Sequence, residues 1–248
     1  MSSNAIEFYL EDIKETSVNY RPNWFPGTPL KIGDYGVLKK EVFNRKGNIF
    51  TDFGIEVIPL PGSKSPSLDF SSSSGISVTT KIKGKTEPKA ELLGEADAGF
   101  IIEFNDHTGY IFKLKGYTVI GIENMGKIEQ EVSRLFSEGK WNKDHIIIQQ
   151  LMHADSATIL ISGESKTKLE LKASADIAVG EMDIADAKMK LHYQSGSSLS
   201  FQEIGCENIT PLYSAIGFDK SFFGKISSDV RGGNDKGGTP KKYPFIKI

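Results

Sequence analysis

The chain is poor in the features that usually announce a chemistry. It has a single cysteine, Cys206, so no intramolecular disulfide framework can form, and that usage fits a reducing compartment. Its histidines, His107, His145, His153 and His192, show no metal-ligand spacing and have no second cysteine to work with, which argues against a zinc or thiolate centre. No glycine-rich phosphate loop follows a strand signal. Gly232, Gly233, Gly237 and Gly238 lack the Lys-Ser/Thr ending of a P-loop, and there is no G-x-S-x-G elbow. The carboxylates Asp183 and Asp186 fall at a turn and need no acid/base role. The expectation is a chain that is not an enzyme and takes no cofactor or metal. Charge of one sign is lacking too: 30 Lys and Arg against 32 Asp and Glu leave a formal −2, so nothing global calls for nucleic acid. No apolar run approaches the roughly 18 residues of a spanning helix. Residues 1–10 carry neither the basic start nor the apolar core of a signal peptide. A cytoplasmic chain is expected, one that meets a membrane only by inserting from the aqueous side. With 248 residues, 38% of them hydrophobic, one sizeable core and one main domain are the default.

What is present is alternation. From Thr167 onward, Leu169, Leu171, Ala173, Ala175 and Ile177 share one face, against Lys168, Glu170, Lys172, Ser174 and Asp176 on the other. After a break near residues 180–183, Ala185, Ala187, Met189, Leu191 and Tyr193 oppose Asp186, Lys188, Lys190 and His192. A period of two places successive side chains on opposite faces of a strand, so the segment reads as a long two-faced hairpin. A second copy lies upstream. Ile76, Val78, Thr80 and Ile82 alternate with polar residues, 84–89 supplies a turn, and Leu92, Gly94, Ala96, Ala98, Phe100, Ile102 and Phe104 return opposite Glu91, Glu95, Asp97 and Glu103. Ordinary strands run about 5 to 6 residues and bilayer-crossing strands about 9 to 11. The arms are expected to be of the longer kind, although a half-buried hairpin in a water-exposed sheet gives the same pattern.

Around the hairpins the chain reads as an α+β fold, a twisted and mostly antiparallel sheet with a few packing helices. Ile6, Tyr9, Leu10 and Ile13 have helical spacing, and 20–29 is a proline-rich connection. Residues 30–49 read as two strands carrying Lys31, Lys39, Lys40, Arg45 and Lys46. That basic hairpin is either a solvated face or a contact for anionic lipid headgroups. Gly54–Leu60 is a candidate strand and 59–74 a Pro/Ser-rich loop. Tyr110–Tyr117 is a strand turned by 105–109. Asn124 caps a helix with the stripe Ile128, Val132, Leu135 and Phe136, stopped by Gly139. Residues 145–151 read as a core strand or a helix end, and 157–162 as a core strand.

This order of elements resembles the pore-forming domain of the gasdermins, in its compact bacterial or fungal form. The resemblance rests on SGISVTTKIKGKTEPKAELLGEADAGFIIEF, GKIEQEVSRLF and TKLELKASADIAVGEMDIADAKMKLHY, and covers most of 30–218. There is no room for the large inhibitory domain of vertebrate gasdermins, and residues 1–10 lack the cysteine usual in bacterial ones. The resemblance implies a pore-forming domain over 1–226 whose hairpins join neighbours, as a homo-oligomer or with a paralogue, in a transmembrane barrel that causes cell death, as in antiphage defence or allorecognition. It also implies release at a cell membrane of anionic lipids, with an activating protease as one trigger. The apolar faces named above would meet lipid and the opposite faces would line water. The alternative is a soluble antiparallel β-sheet binding module.

Residues 227–242 are mostly Gly, Ser, Asp, Lys and Pro, a linker composition, and then Tyr243, Phe245, Ile246 and Ile248 supply an apolar tip. The tip is either a free end or a peptide docked on its own domain as an autoinhibitory tail. Cleavage after Arg231 or Lys236 would then release it.

Overall fold

The structure, a computed structural model, describes residues 3–17, 20–72, 75–82, 97–174, 181–195, 199–219 and 245–248. It is an α+β fold in which strand far outweighs helix, and every strand pairing among the described residues is antiparallel. Helix α1 (Ser3–Thr16) follows from its apolar spacing: Ala5, Tyr9, Leu10 and Ile13 are buried against the large sheet. After β1 (Arg21–Pro22) come β2 (Asp34–Lys39), β3 (Val42–Asn48) and the short α2 (Ile49–Phe53). The β2–β3 turn holds Lys40 and Glu41 at positive φ without a glycine, a conformation that costs about 1 to 2 kcal/mol per residue.

β4 (Pro59–Ser71) replaces the expected loop at 59–74. It is an edge strand and almost wholly exposed. Proline is tolerated there because an edge strand leaves half of its backbone groups unpaired, and Pro59, Pro61 and Pro66 also guard the edge against foreign strands. β5 (Ile76–Lys81) and β6 (Gly99–Phe104) follow, then β7 (Gly109–Ile122). Helix α3 (Met125–Ser137) buries Ile128, Val132 and Leu135 as its spacing dictates, and Gly139 beyond it adopts φ 72°. Asn124 stands at its N-cap position but makes no side-chain cap. Its amide is tied instead to Glu56 O (2.9 Å) and Ile58 N (3.0 Å). The segments read as separate at 145–151 and 157–162 are one strand, β8 (Ile146–Ser162). β9 (Thr167–Ala173), β10 (Met189–Ser195), β11 (Phe201–Phe218) and β12 (Phe245–Lys247) complete the order.

Two sheets result. The large one contains β4–β7–β8–β11, with β2–β3 on one end of β8 and with β1 and β12 on the outer edge of β11. The small one runs β5–β6–β9–β10. Each strand of the small sheet is the chain continuation of a strand of the large one, in the same order. The molecule is therefore a four-stranded ladder folded over on itself. Phe100, Ile102, Phe104, Leu169 and Leu171 of the small sheet pack with Ile111 and Leu160 of the large one in the fold. α1 covers the opposite face at Tyr110, Phe112, Leu114 and Ile159. α2 and α3 close the far end over Tyr35, Ile147 and Phe218.

Candidate functional site

The two hairpin segments come together as one sheet, because β6 pairs with β9 from Gly99 opposite Lys172 to Phe104 opposite Thr167. The large-sheet pair β7–β8 begins at Gly109 opposite Ser162. The steps 104 to 109 and 167 to 162 are equal, so one register runs through the corner. At the outer strands the steps are unequal. From Ser71 to Ile76 is five positions against seven from Ile111 to Phe104, and from Ser195 to Phe201 is six against seven from Lys168 to Ile161. Gly99 is required where β6 meets β9, since a Cβ there would lie 1.9 Å from Leu171 O.

The expected apolar face is the buried one. Phe100, Ile102, Leu169, Leu171, Ala173 and Met189 lie in the shared core with Ile76 partly buried, while Val78 and Leu191 on the outer strands, and Ile82 just beyond β5, are exposed, Val78 by 46%. The described strands run six or seven residues each, and the parts of the expected long arms at 83–96 and 175–180 lie outside the described residues. Other expectations are corrected. Ala98 precedes β6 rather than lying in it. Ala185 and Ala187 belong to a turn, not a strand: the Asp183 carboxylate accepts from Ala185 N–H and the Asp186 carboxylate from Lys188 N–H, both at 2.8 Å. These side-chain bonds compete with strand extension. Nor is the second face simply a wet one. Ile101, Glu170 and Lys81 on it are all 0% exposed. Lys168 lies 3.4 Å from Glu170, Lys172 2.6 Å from Asp97, and Lys81 Nζ donates to Asp97 O at 3.3 Å. A buried charge is tolerated when it is paired. Leu92, Ala96, Ala175 and Ile177 lie outside the described residues, as do Arg231, Lys236 and Tyr243.

The turn at 181–188 is fastened to the large sheet. Buried Thr158 of β8 donates to Ile184 O (2.7 Å) and accepts from Gly205 N–H (3.0 Å), and Lys115 of β7 reaches Asp186 at 2.5 Å. Burial works against the Asp186 carboxylate, and Lys115 with the Lys188 N–H outweighs it, leaving the pKa lowered. Thr158 carried no signal in the sequence beyond its place in an apolar run.

The apolar tip is docked. β12 pairs with Ile216–Phe218 of β11, Phe245 sits with its ring centroid 4.5 Å from that of Phe218, and Ile248 packs against the buried cluster of Ile146, Ile148, Leu151, Tyr213 and Ala215. Ile246 points outward. Ile248 O accepts from Nε of buried Arg21, whose guanidinium also pairs with Glu41 of the β2–β3 turn. Arg21 lies in the proline-rich connection, where nothing in the sequence foretells a partner at residue 248.

The basic set, Lys31, Lys39, Lys40, Arg45 and Lys46, is exposed throughout, and Arg45 is also engaged: its Nε lies 2.8 Å from Oδ2 of Asp34, a carboxylate with no exposure. The Asp34 hydrogen bond keeps the Arg45 pKa raised. Cys206 on β11 donates to Glu203 (2.8 Å), and burial together with that carboxylate pushes its thiol up to about 11, an unreactive state at neutral pH. Among the described residues no group of His, Cys, Asp and Glu is arranged to hold a metal, and no helix is long and apolar enough to cross a membrane. Comparison with protein-family models found no match, and neither did comparison with curated proteins.

Proposed function

We propose that the chain is a membrane pore-forming effector. Cytoplasmic when inactive, it assembles with further copies or a paralogue on an anionic cell membrane and inserts 76–104 and 167–195 as neighbouring hairpins of a shared β-barrel, as a gasdermin does, leading to cell death. The observation that carries this reading is the register kept through the corner: straightening the ladder lengthens β7 and β8 into β6 and β9 without exchanging a partner. Period two then sets Phe104 and Tyr110 on one face, so the apolar stripe of the small sheet continues into the one that α1 covers. Links 82–98 and 174–188 supply the residues that bring six- and seven-residue strands to the roughly 9 to 11 a bilayer requires. An inserted hairpin with open edges leaves backbone groups unpaired at several kcal/mol each, so insertion needs a closed ring of subunits. β12 covers the outer edge of β11 in the folded form and acts as the restraint, removed by cleavage within 229–238.

A second reading, a soluble antiparallel β-sheet binding module, is favoured by the burial of Glu170 and Lys81 on the face that would line water. Dye release from vesicles containing anionic lipid, by the full chain and by a version ending at Val230, separates the two. Release by the shortened chain above that of the full chain is expected. Silence from both supports the binding module, and equal release by both removes the tail restraint alone.

A further inference from the structure

Along one edge β8 has two neighbours. From Gln150 onward it pairs with β7, and at Ile146–Ile147 with β2, with Gly33 N–H donating to Ile148 O (2.9 Å) between them. The large sheet forks there, and the fork holds an open cleft of ≈ 550 Å³. That is within the size range of small-molecule sites, about 300 to 1,000 Å³. Leu30, Ile32, Val57, Pro59, Ile120 and Leu151 make its walls apolar, and Phe50, 59% exposed, stands at the rim.

Its polar lining is one-sided. Lys31 and Arg45 are the charged groups of the cleft, with Asn48 and Thr51 beside them. Arg45 is held in place: buried Asp34 accepts from Arg45 Nε (2.8 Å) and from Lys31 N–H (2.9 Å) through one oxygen, and from Asn48 Nδ2 (2.9 Å) through the other. A second carboxylate, Asp52, does not itself line the cleft: it accepts from the Tyr35 hydroxyl and from Thr51 Oγ1 (3.0 Å), and it adds to the negative field that Asp34 sets on Arg45, leaving Lys31 as the cleft cation with no such partner among the described residues. An arginine fixed by a buried carboxylate at the mouth of an apolar cleft has its terminal nitrogens oriented before any ligand arrives, the geometry that suits a carboxylate or phosphate.

We infer that this cleft binds one single-chain anionic amphiphile, its hydrocarbon chain lying over Ile120 and Leu151 and its acidic head on the Arg45 guanidinium and the Lys31 ammonium. The site is formed within the folded chain and does not depend on hairpin insertion.

The test is calorimetric titration of the full chain with dodecyl phosphate and with dodecanoate, each kept monomeric. Saturable one-to-one binding is expected for at least one, and the stronger identifies the head. Thr51→Trp, which fills the mouth from the exposed side of α2, and Arg45→Gln are each expected to weaken it about tenfold or more, and dodecyltrimethylammonium to bind correspondingly less well. Should Arg45→Gln fail to fold, Lys31→Gln together with Thr51→Trp carries the test. Absence of saturable binding, a folded Thr51→Trp within about twofold of the parent, or equal affinity for the cationic amphiphile overturns the site. Vesicle leakage is not the readout, so this result and the pore reading stand or fall separately.

Discussion

Four strands of the large sheet continue along the chain as the four of the small sheet, yet the two sheets are held in different ways. In the large half the strands run 13 to 18 residues, with α1 over one face, α2 and α3 over the far end, and β1, β2, β3 and β12 along its margins. In the small half the strands run six or seven residues, the apolar face rests on one shared cluster, and the fastening to the rest is a few groups around Thr158 and Lys115. Chain continuity does not make stability uniform. What covers the faces decides it, and the small half is the part expected to yield first.

The largest test of that difference is a pair of equivalent truncations. Phe112→Ala in the large half is expected to cost about 3 to 5 kcal/mol in global unfolding by denaturant. Leu171→Ala, equally buried, is expected to lower amide protection at Ile101 and Leu169 while shifting the global midpoint much less. Equal midpoint losses would mean that the halves unfold as one. Next comes Val78→Arg, exposed in the folded form but on the proposed lipid face, which should cost about 2 to 4 kcal/mol once inserted and suppress dye release. Thr79→Arg on the other face should leave release close to that of the parent. Smaller again is Thr158→Val, which strands Ile184 O and Gly205 N–H; a loss of about 1 to 3 kcal/mol, with faster hydrogen exchange confined to 181–195, is expected.

The smallest effect concerns pH and belongs to the large half. His145 packs edge-on against Trp141 and at a tilt against Tyr35, with its Nδ1 buried and unpartnered among the described residues. Burial first, then Lys46, lowers its pKa against the opposing pull of Asp144. The unfolded chain binds this proton more readily, so stability falls as pH drops through about 6.5 and levels off below the folded value. His145→Phe should flatten that slope in denaturation measured from pH 8 to 5, without changing protection in the small sheet.

The strands easiest to read from sequence are those whose period of two is unbroken, β6 and β9, and the helices α1 and α3 with their apolar stripes. β4 was illegible because prolines and serines mark a loop wherever a strand's outer edge needs no partner. β11 was illegible for another reason: register shifts between Glu203 and Cys206, Ile209 and Leu212, and Ser214 and Ala215 break its alternation. That the two hairpins share a sheet is a statement about β6 and β9, some seventy residues apart in sequence, and no local pattern contains it. The contact of Arg21 with Ile248 was hidden in the same way, while the docking of Phe245 and Ile248 had a visible cue in an apolar tip behind a polar linker.

The corner between the sheets carries an equal number of residues on its two central strands, 105–108 and 163–166. In the folded form both stretches are turns, and turns absorb insertions readily. In a straightened ladder the same stretches would be paired strand, where one extra residue on a single side turns every side chain beyond it to the wrong face. An insertion at 106 alone should therefore leave a well-folded but silent protein. A matching insertion at 164 should restore what the first removed, so lengths at this corner are free to change only in step.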